Sequence, residues 1–246
     1  MTRDRVGGGE RPEEDERTAD WIHLLVTRPR DAVVVGIGWG AVPAALARAG
    51  ARVVAVDGSS RRLAFMDARA TQDGLAVRCT AAIGQDGIPV EAASADLLAL
   101  LEPVRATPGE IARMAGRILR PGGELVWQAV NAWRPRGAGG ATLSAYTTAL
   151  HRAGFHGVRV YAAVPDRGVP LFHVPLHDAG ALGYFLRALL PLAATASPEA
   201  RARYGVLARA VELGPLAARI PFVTSVARYL APRWLLFAQV RTGGAG

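Results

Sequence analysis

Apolar positions along this chain follow two different periods. Short runs at residues 32–35, 53–56 and 95–101 are apolar almost throughout, as expected of strands buried on both faces. Between them, apolar residues recur at helical spacing. Trp21, Ile22, Leu24, Leu25 and Val26 predict a helix packed ahead of the first strand. Residues 61–72 predict another, with Ser59 or Ser60 as its N-cap. Further strands are expected at 76–80, 124–130, 158–164 and 171–176, and further helices at 108–119 and 143–153. The first of those two helices is closed by Arg120-Pro121-Gly122-Gly123, the second by Gly154. Strand and helix alternating with short connections build a doubly wound, mostly parallel α/β sheet of about seven strands, with helices on both faces. Residues 178–230 read as a C-terminal helical extension, broken near 191–198 and at Gly214-Pro215. Residues 234–240 are expected to form a closing edge strand.

The first strand ends in Gly36-Ile37-Gly38-Trp39-Gly40, and the second in Asp57-Gly58. Glycines at such a turn let the backbone approach a ligand, and a helix starting there presents unpaired N–H groups to it. A carboxylate at the tip of the second strand can accept both hydroxyls of a ribose. Together they predict a crevice for an adenosine-containing cofactor. The same residues satisfy a dinucleotide fingerprint, Gly36-x-Gly38-x-x-Ala41 with Asp57 21 residues beyond Gly36, so a nicotinamide-dependent oxidoreductase stays open on the turn alone.

Composition narrows the classes. Half of the 246 residues are hydrophobic, enough for a full α/β core. One cysteine, Cys79, excludes an internal disulfide and any multi-cysteine zinc site, and no metal site is expected. The first thirty residues are polar and acidic, no apolar run reaches about 18 residues without a charge or proline, and a cytoplasmic location is expected. The formal charge is +8, and every one of the 29 basic residues is arginine. Twelve arginines meet fourteen acids in residues 1–100, against seventeen and seven in 101–246. The arginines stand at helical spacing, which reads as a solvated face, and no nucleic-acid partner is expected.

Two later segments bear on the cofactor. A helix runs into Leu119-Arg120-Pro121-Gly122-Gly123-Glu124-Leu125, a strand follows, and a second helix ends in Ala153-Gly154-Phe155 before another strand. In this order, over about residues 20 to 177, the chain resembles the class I S-adenosylmethionine (AdoMet)-dependent methyltransferases. The resemblance implies that Gly36, Ile37, Gly38 and Gly40 line the methionine portion of AdoMet. It implies that Asp57 holds the ribose, with Gly58 beside the adenine. Ala82 and Ile83 would sit at the adenine edge, and Glu102 would face the crevice after the fourth strand. Asp96 falls where family members often carry an aspartate. The sequence departs from the family at Val34, usually acidic, and at Thr80-Ala81-Ala82-Ile83, which holds no acid before Asp86.

The implied activity is methyl transfer to a small-molecule or peptide acceptor, in specialised metabolism. The alternative is a methyltransferase-like subunit that binds or scaffolds without catalysis. No catalytic residue is singled out: Glu102, His151, His156, His173 and His177 are candidate bases, each histidine reading more readily as a surface or packing residue. Trp127, Trp133, Tyr146 and Tyr161 read either as an acceptor pocket or as core. The expected organisation is an arm over 1–17, a Rossmann-like domain over 18–177, a helical cap over 178–241 and a tail over 242–246. The cap reads as a lid over the acceptor site or as a docking face for a protein partner.

Overall fold

The structure is a computed structural model, and it describes residues 17–81, 88–104, 106–132, 140–164, 172–184 and 233–242. A 3-10 helix over Arg17–Leu24 leads into β1 (Asp31–Val35), α1 (Ala41–Arg48), β2 (Arg52–Asp57), α2 (Ser60–Asp73) and β3 (Val77–Ala81). Then come β4 (Ala95–Leu100), α3 (Pro108–Ile118), β5 (Leu119–Val130), α4 (Leu143–Arg152), β6 (Phe155–Val164), β7 (Phe172–Pro175), α5 (Ala179–Tyr184) and β8 (Arg233–Val240).

The strands form one sheet in the order β3-β2-β1-β4-β5-β8-β6-β7. The first five are parallel, β8 runs antiparallel to both β5 and β6, and β7 is antiparallel to β6. Strand order reverses between β1 and β4, so the connections leaving these two strands part to opposite sides and open a crevice at their carboxyl ends.

Each face of the sheet has its own core. On one, α3 and α4 pack Ile111, Ile118, Tyr146 and Leu150 against Leu98, Leu125, Trp127 and Phe155. On the other, the 3-10 helix, α1 and α2 pack Trp21, Leu46 and Met66 against Val34, Leu97, Val126 and Phe237. Caps fix where the helices begin. Ser59, rather than Ser60, caps α2 by accepting the Arg62 N–H, and Thr107 and Glu110 form a reciprocal capping box on α3.

Two expectations need correction. The sheet has eight strands among the described residues, in keeping with the about seven expected, but residues 233–240 are not its edge and residues 119–123 already belong to β5. β8 lies between β5 and β6, and Trp234 to Ala238 are buried in succession. A strand covered on both faces and paired on both sides has no polar side to show, so its unbroken apolar run was the mark of an inner strand. The end of the expected cap therefore belongs to the sheet. Ala179–Tyr184 is helical as anticipated, while residues 185–232 fall outside the described residues, as do 1–16 and 243–246.

β5 also begins earlier than residue 124. Leu119 already pairs with Ala95, the register then slips, and Glu124 pairs with Leu97. Gly122, at φ 80°, takes up the slip. The irregularity turns Arg120 onto Asp31 at 2.9 Å and Asp96 at 2.8 Å, while Asp96 also accepts the N–H groups of Arg30 and Asp31. Asp96 thus fastens β1, β4 and β5 at the edge opposite the crevice.

Candidate functional site

The crevice is built around a tight turn after β1. Gly36, Gly38 and Gly40 all take positive φ, at 77°, 55° and 84°, a region that suits glycine. Space matters as much as angle. A Cβ on Gly36 would stand 2.5 Å from Glu102 Cβ and 2.8 Å from the Glu102 backbone nitrogen. One on Gly40 would collide with the Met66 sulfur. The turn is held by the Gly36 N–H donating to Val56 O at 2.9 Å, and Leu101 N–H donates to Val35 O at 2.9 Å. Three strand ends, β1, β2 and β4, are drawn together here.

Asp57 lies at the floor of this junction, 2% exposed. Its Oδ2 accepts the Ile37 N–H at 3.0 Å, and its Oδ1 accepts the Ser59 N–H at 2.7 Å. Oδ1 also takes Nε and Nη2 of Arg62, at 3.0 and 2.8 Å. Arg62 reaches on to Glu102, with Nη1 2.8 Å from Oε1 and Nη2 3.2 Å from Oε2. One guanidinium therefore bridges the two carboxylates of the crevice. Burial pulls the Arg62 pKa down, but its bond to Asp57 and the charge of Glu102 outweigh that and hold it above the ordinary arginine value.

Among the expected cofactor residues, Gly36, Ile37, Gly38, Gly40, Asp57 and Glu102 meet at this junction. Gly58 follows Asp57 and is exposed. Ala82 and Ile83 lie outside the described residues. Val34 is fully buried in the core on the α1 side and offers the crevice nothing.

Arg62 was not anticipated. The signal was present, because a Ser59 N-cap puts Arg62 at the third position of α2, in the first turn beside the β2 tip. Nearby, Trp39 meets Phe65 edge-on at 5.5 Å, and the Arg61 guanidinium lies 5.6 Å from the Trp39 ring centroid.

The other candidates lie elsewhere. His151 and His156 flank the junction of α4 and β6, at the end of the sheet away from the crevice. His173 sits on β7, four strand spacings from β4, roughly 19 Å across the sheet. Burial lowers its pKa, against a raising pull from Asp20. The ring of His177 packs against Tyr161, and its Nδ1 lies 3.1 Å from Val160 O. Trp127, Tyr146 and Tyr161 are core residues rather than an acceptor pocket; Trp133 is outside the described residues. Cys79 is half-buried, and burial, then the charge of Asp67, pushes its thiol pKa up, away from nucleophilic character. Among the described residues, no group of three or more His, Cys, Asp or Glu could hold a metal ion, and no helix is long and apolar enough to cross a membrane.

Residues 33–127 match the family model for a methyltransferase domain. A search of curated proteins found no match. Among solved structures, the fold is similar to a suggested sarcosine dimethylglycine methyltransferase from Galdieria sulphuraria, with a TM-score of 0.57 and 15% identity over 94% of this chain and 85% of that one. It is also similar to the (4+2)-cyclase SpnF, with a TM-score of 0.55 and 18% identity over 93% and 81% of the two chains. A third is phosphoethanolamine N-methyltransferase 2 from Haemonchus contortus, solved with AdoMet, with a TM-score of 0.56 and 16% identity over 93% and 52%. At these identities the likeness is one of fold. Over residues 33–127 the chain therefore carries a methyltransferase domain, and its eight-stranded sheet is similar in fold to AdoMet-dependent methyltransferases.

Proposed function

We propose that this chain is an enzyme that binds AdoMet at the Gly36–Gly40 turn and methylates a small-molecule or peptide acceptor, in specialised metabolism. The observation that carries the reading is the convergence of the turn, the buried Asp57 and Glu102 at one switch point, within the matched methyltransferase domain.

The residues suit the cofactor on their own geometry. A Cβ on Gly36 or Gly40 would run into Glu102 or Met66, so only glycine lets this turn close against the β4 tip and α2, and no side chain of these two residues stands over the backbone. Asp57 Oδ2 accepts one bond among the described residues, and a carboxylate oxygen has two lone pairs, so one ribose hydroxyl can be met at once. The second falls to Oδ1 when Arg62 gives way. Gly58 follows Asp57 at the same strand tip, and the adenine edge at Ala82 and Ile83 follows from the resemblance.

Bound AdoMet supplies a methyl group on a sulfonium, open to in-line displacement. For such a reaction the protein's main task is alignment, and rigid strand tips carrying Asp57 and Glu102 serve it. Isothermal titration with AdoMet and S-adenosylhomocysteine tests the reading; absence of binding at millimolar ligand would sink it. The scaffold alternative draws on Arg62 filling Asp57, and incubation with labelled AdoMet and candidate acceptors separates the two, since a scaffold transfers no label.

A further inference from the structure

A cofactor of this kind carries a positive α-ammonium at its amino-acid end, and a buried cation needs an anion. The family's usual acid two residues before the first glycine is Val34 here, sealed in the core. Something else in the turn must supply that charge.

Glu102 is the carboxylate in position. Its Cβ and Cγ stand 2.5 and 2.6 Å from where a Cβ on Gly36 would be, so its side chain leaves the chain beside the first glycine of the turn. Its carboxylate is accessible at the crevice mouth and holds a cation already, the Arg62 guanidinium at 2.8 Å. Arg62 in turn saturates Oδ1 of Asp57. One internal cation thus occupies both anionic positions that a ribose with an ammonium tail would need.

We propose that Glu102 holds the α-ammonium of the cofactor, replacing the acid absent at Val34, and that Arg62 is the internal cation it releases in exchange. This rests on the AdoMet reading above. Glu102 is then a specificity residue: it distinguishes ligands that carry the amino-acid end from nucleosides that lack it. When the cofactor enters, ribose displaces Arg62 from Asp57, the ammonium displaces it from Glu102, and the guanidinium moves outward toward solvent. No bond is made or broken covalently, and the crevice trades one cation for another.

The test compares S-adenosylhomocysteine, which carries the ammonium, with 5′-methylthioadenosine, which ends at the thioether. Titrations use the full chain, Glu102→Gln, Arg62→Met and the double variant, with folding checked by circular dichroism. Glu102→Gln keeps the shape and loses the charge. It is expected to weaken S-adenosylhomocysteine at least tenfold and to leave methylthioadenosine within twofold, in both the wild-type and the Arg62→Met background. Equal losses for the two ligands would overturn the proposal. So would a loss that vanishes in Arg62→Met, because Glu102 would then act only by anchoring Arg62. If the wild-type chain binds neither ligand, the AdoMet reading itself fails and the proposal fails with it.

Discussion

Replacing Arg62 with Met removes a side chain that competes with the ligand, and the structure gives the size of the effect. Four contacts of 2.8 to 3.2 Å tie the guanidinium to Asp57 and Glu102. Charge-assisted bonds contribute about 1.5–3 kcal/mol each where they are fully buried. Arg62 is 30% exposed and regains water when it leaves, so displacing it costs the ligand only about 1–2 kcal/mol in net terms. Removing that cost should tighten AdoMet binding about 5- to 30-fold. The same change strips the buried Asp57 of its cationic partner, leaving the Ile37 and Ser59 N–H groups to satisfy it. The folded state should lose about 1–3 kcal/mol, which in a chain of this size lowers Tm by roughly 3–10 °C. Titration calorimetry and thermal melts of both proteins read the two effects together. A variant that folds yet binds AdoMet tenfold more weakly would refute the reasoning and make Arg62 a direct cofactor ligand.

Other consequences follow from particular contacts. Gly36→Ala sets a Cβ against Glu102 at φ 77°; it should cost at least about 2 kcal/mol and abolish AdoMet binding, seen by melts and titration. Tyr146→Phe deprives the Val130 carbonyl of its 3.1 Å hydroxyl donor and should lower stability by about 1–3 kcal/mol in urea unfolding. Arg52 and Arg120 hold the Asp31 carboxyl below its ordinary range; for Asp96, burial pushes up but the Arg120 bond and two N–H donors prevail and lower it. Their contribution is present above about pH 4 and is lost as pH falls through the lowered values, so the stability advantage of wild type over Asp96→Asn should shrink in acid melts. Glu124 runs the opposite way: burial raises its pKa more than the Val26 N–H and Arg159 lower it. Its ionisation therefore costs stability, and wild type should gain on Glu124→Gln as pH falls through that raised value toward about 4.5.

The parallel half of the fold was readable because its signals are local. Apolar runs, a serine cap and glycine stops fix β1 through α4 with little help from distant residues. β8 shows where local reading failed. Its run of buried residues was visible, but its position depends on β5 and β6, which lie more than sixty residues away in sequence. The site divides in the same way. Gly36, Gly38, Gly40 and Asp57 announce themselves by spacing. Glu102 followed from its place after the fourth strand and from the family resemblance, and Arg62 escaped notice because an arginine in a helix among many arginines carries no pattern. Only the meeting of β2 and β4 gives it two carboxylates.

The place of β8 also sets an order of events during synthesis. β6 and β7 leave the ribosome before it, yet their hairpin has no strand of its own to join on the parallel half. β8 is the only connection among the described strands between β5 and β6. Until it emerges, β5 stays an open edge with apolar faces, and the hairpin waits apart from it. The contacts that close the sheet span the longest stretch of chain, which makes closure slow and late. A nascent chain halted before residue 233 should be a client for chaperones, and one extended past residue 240 should not.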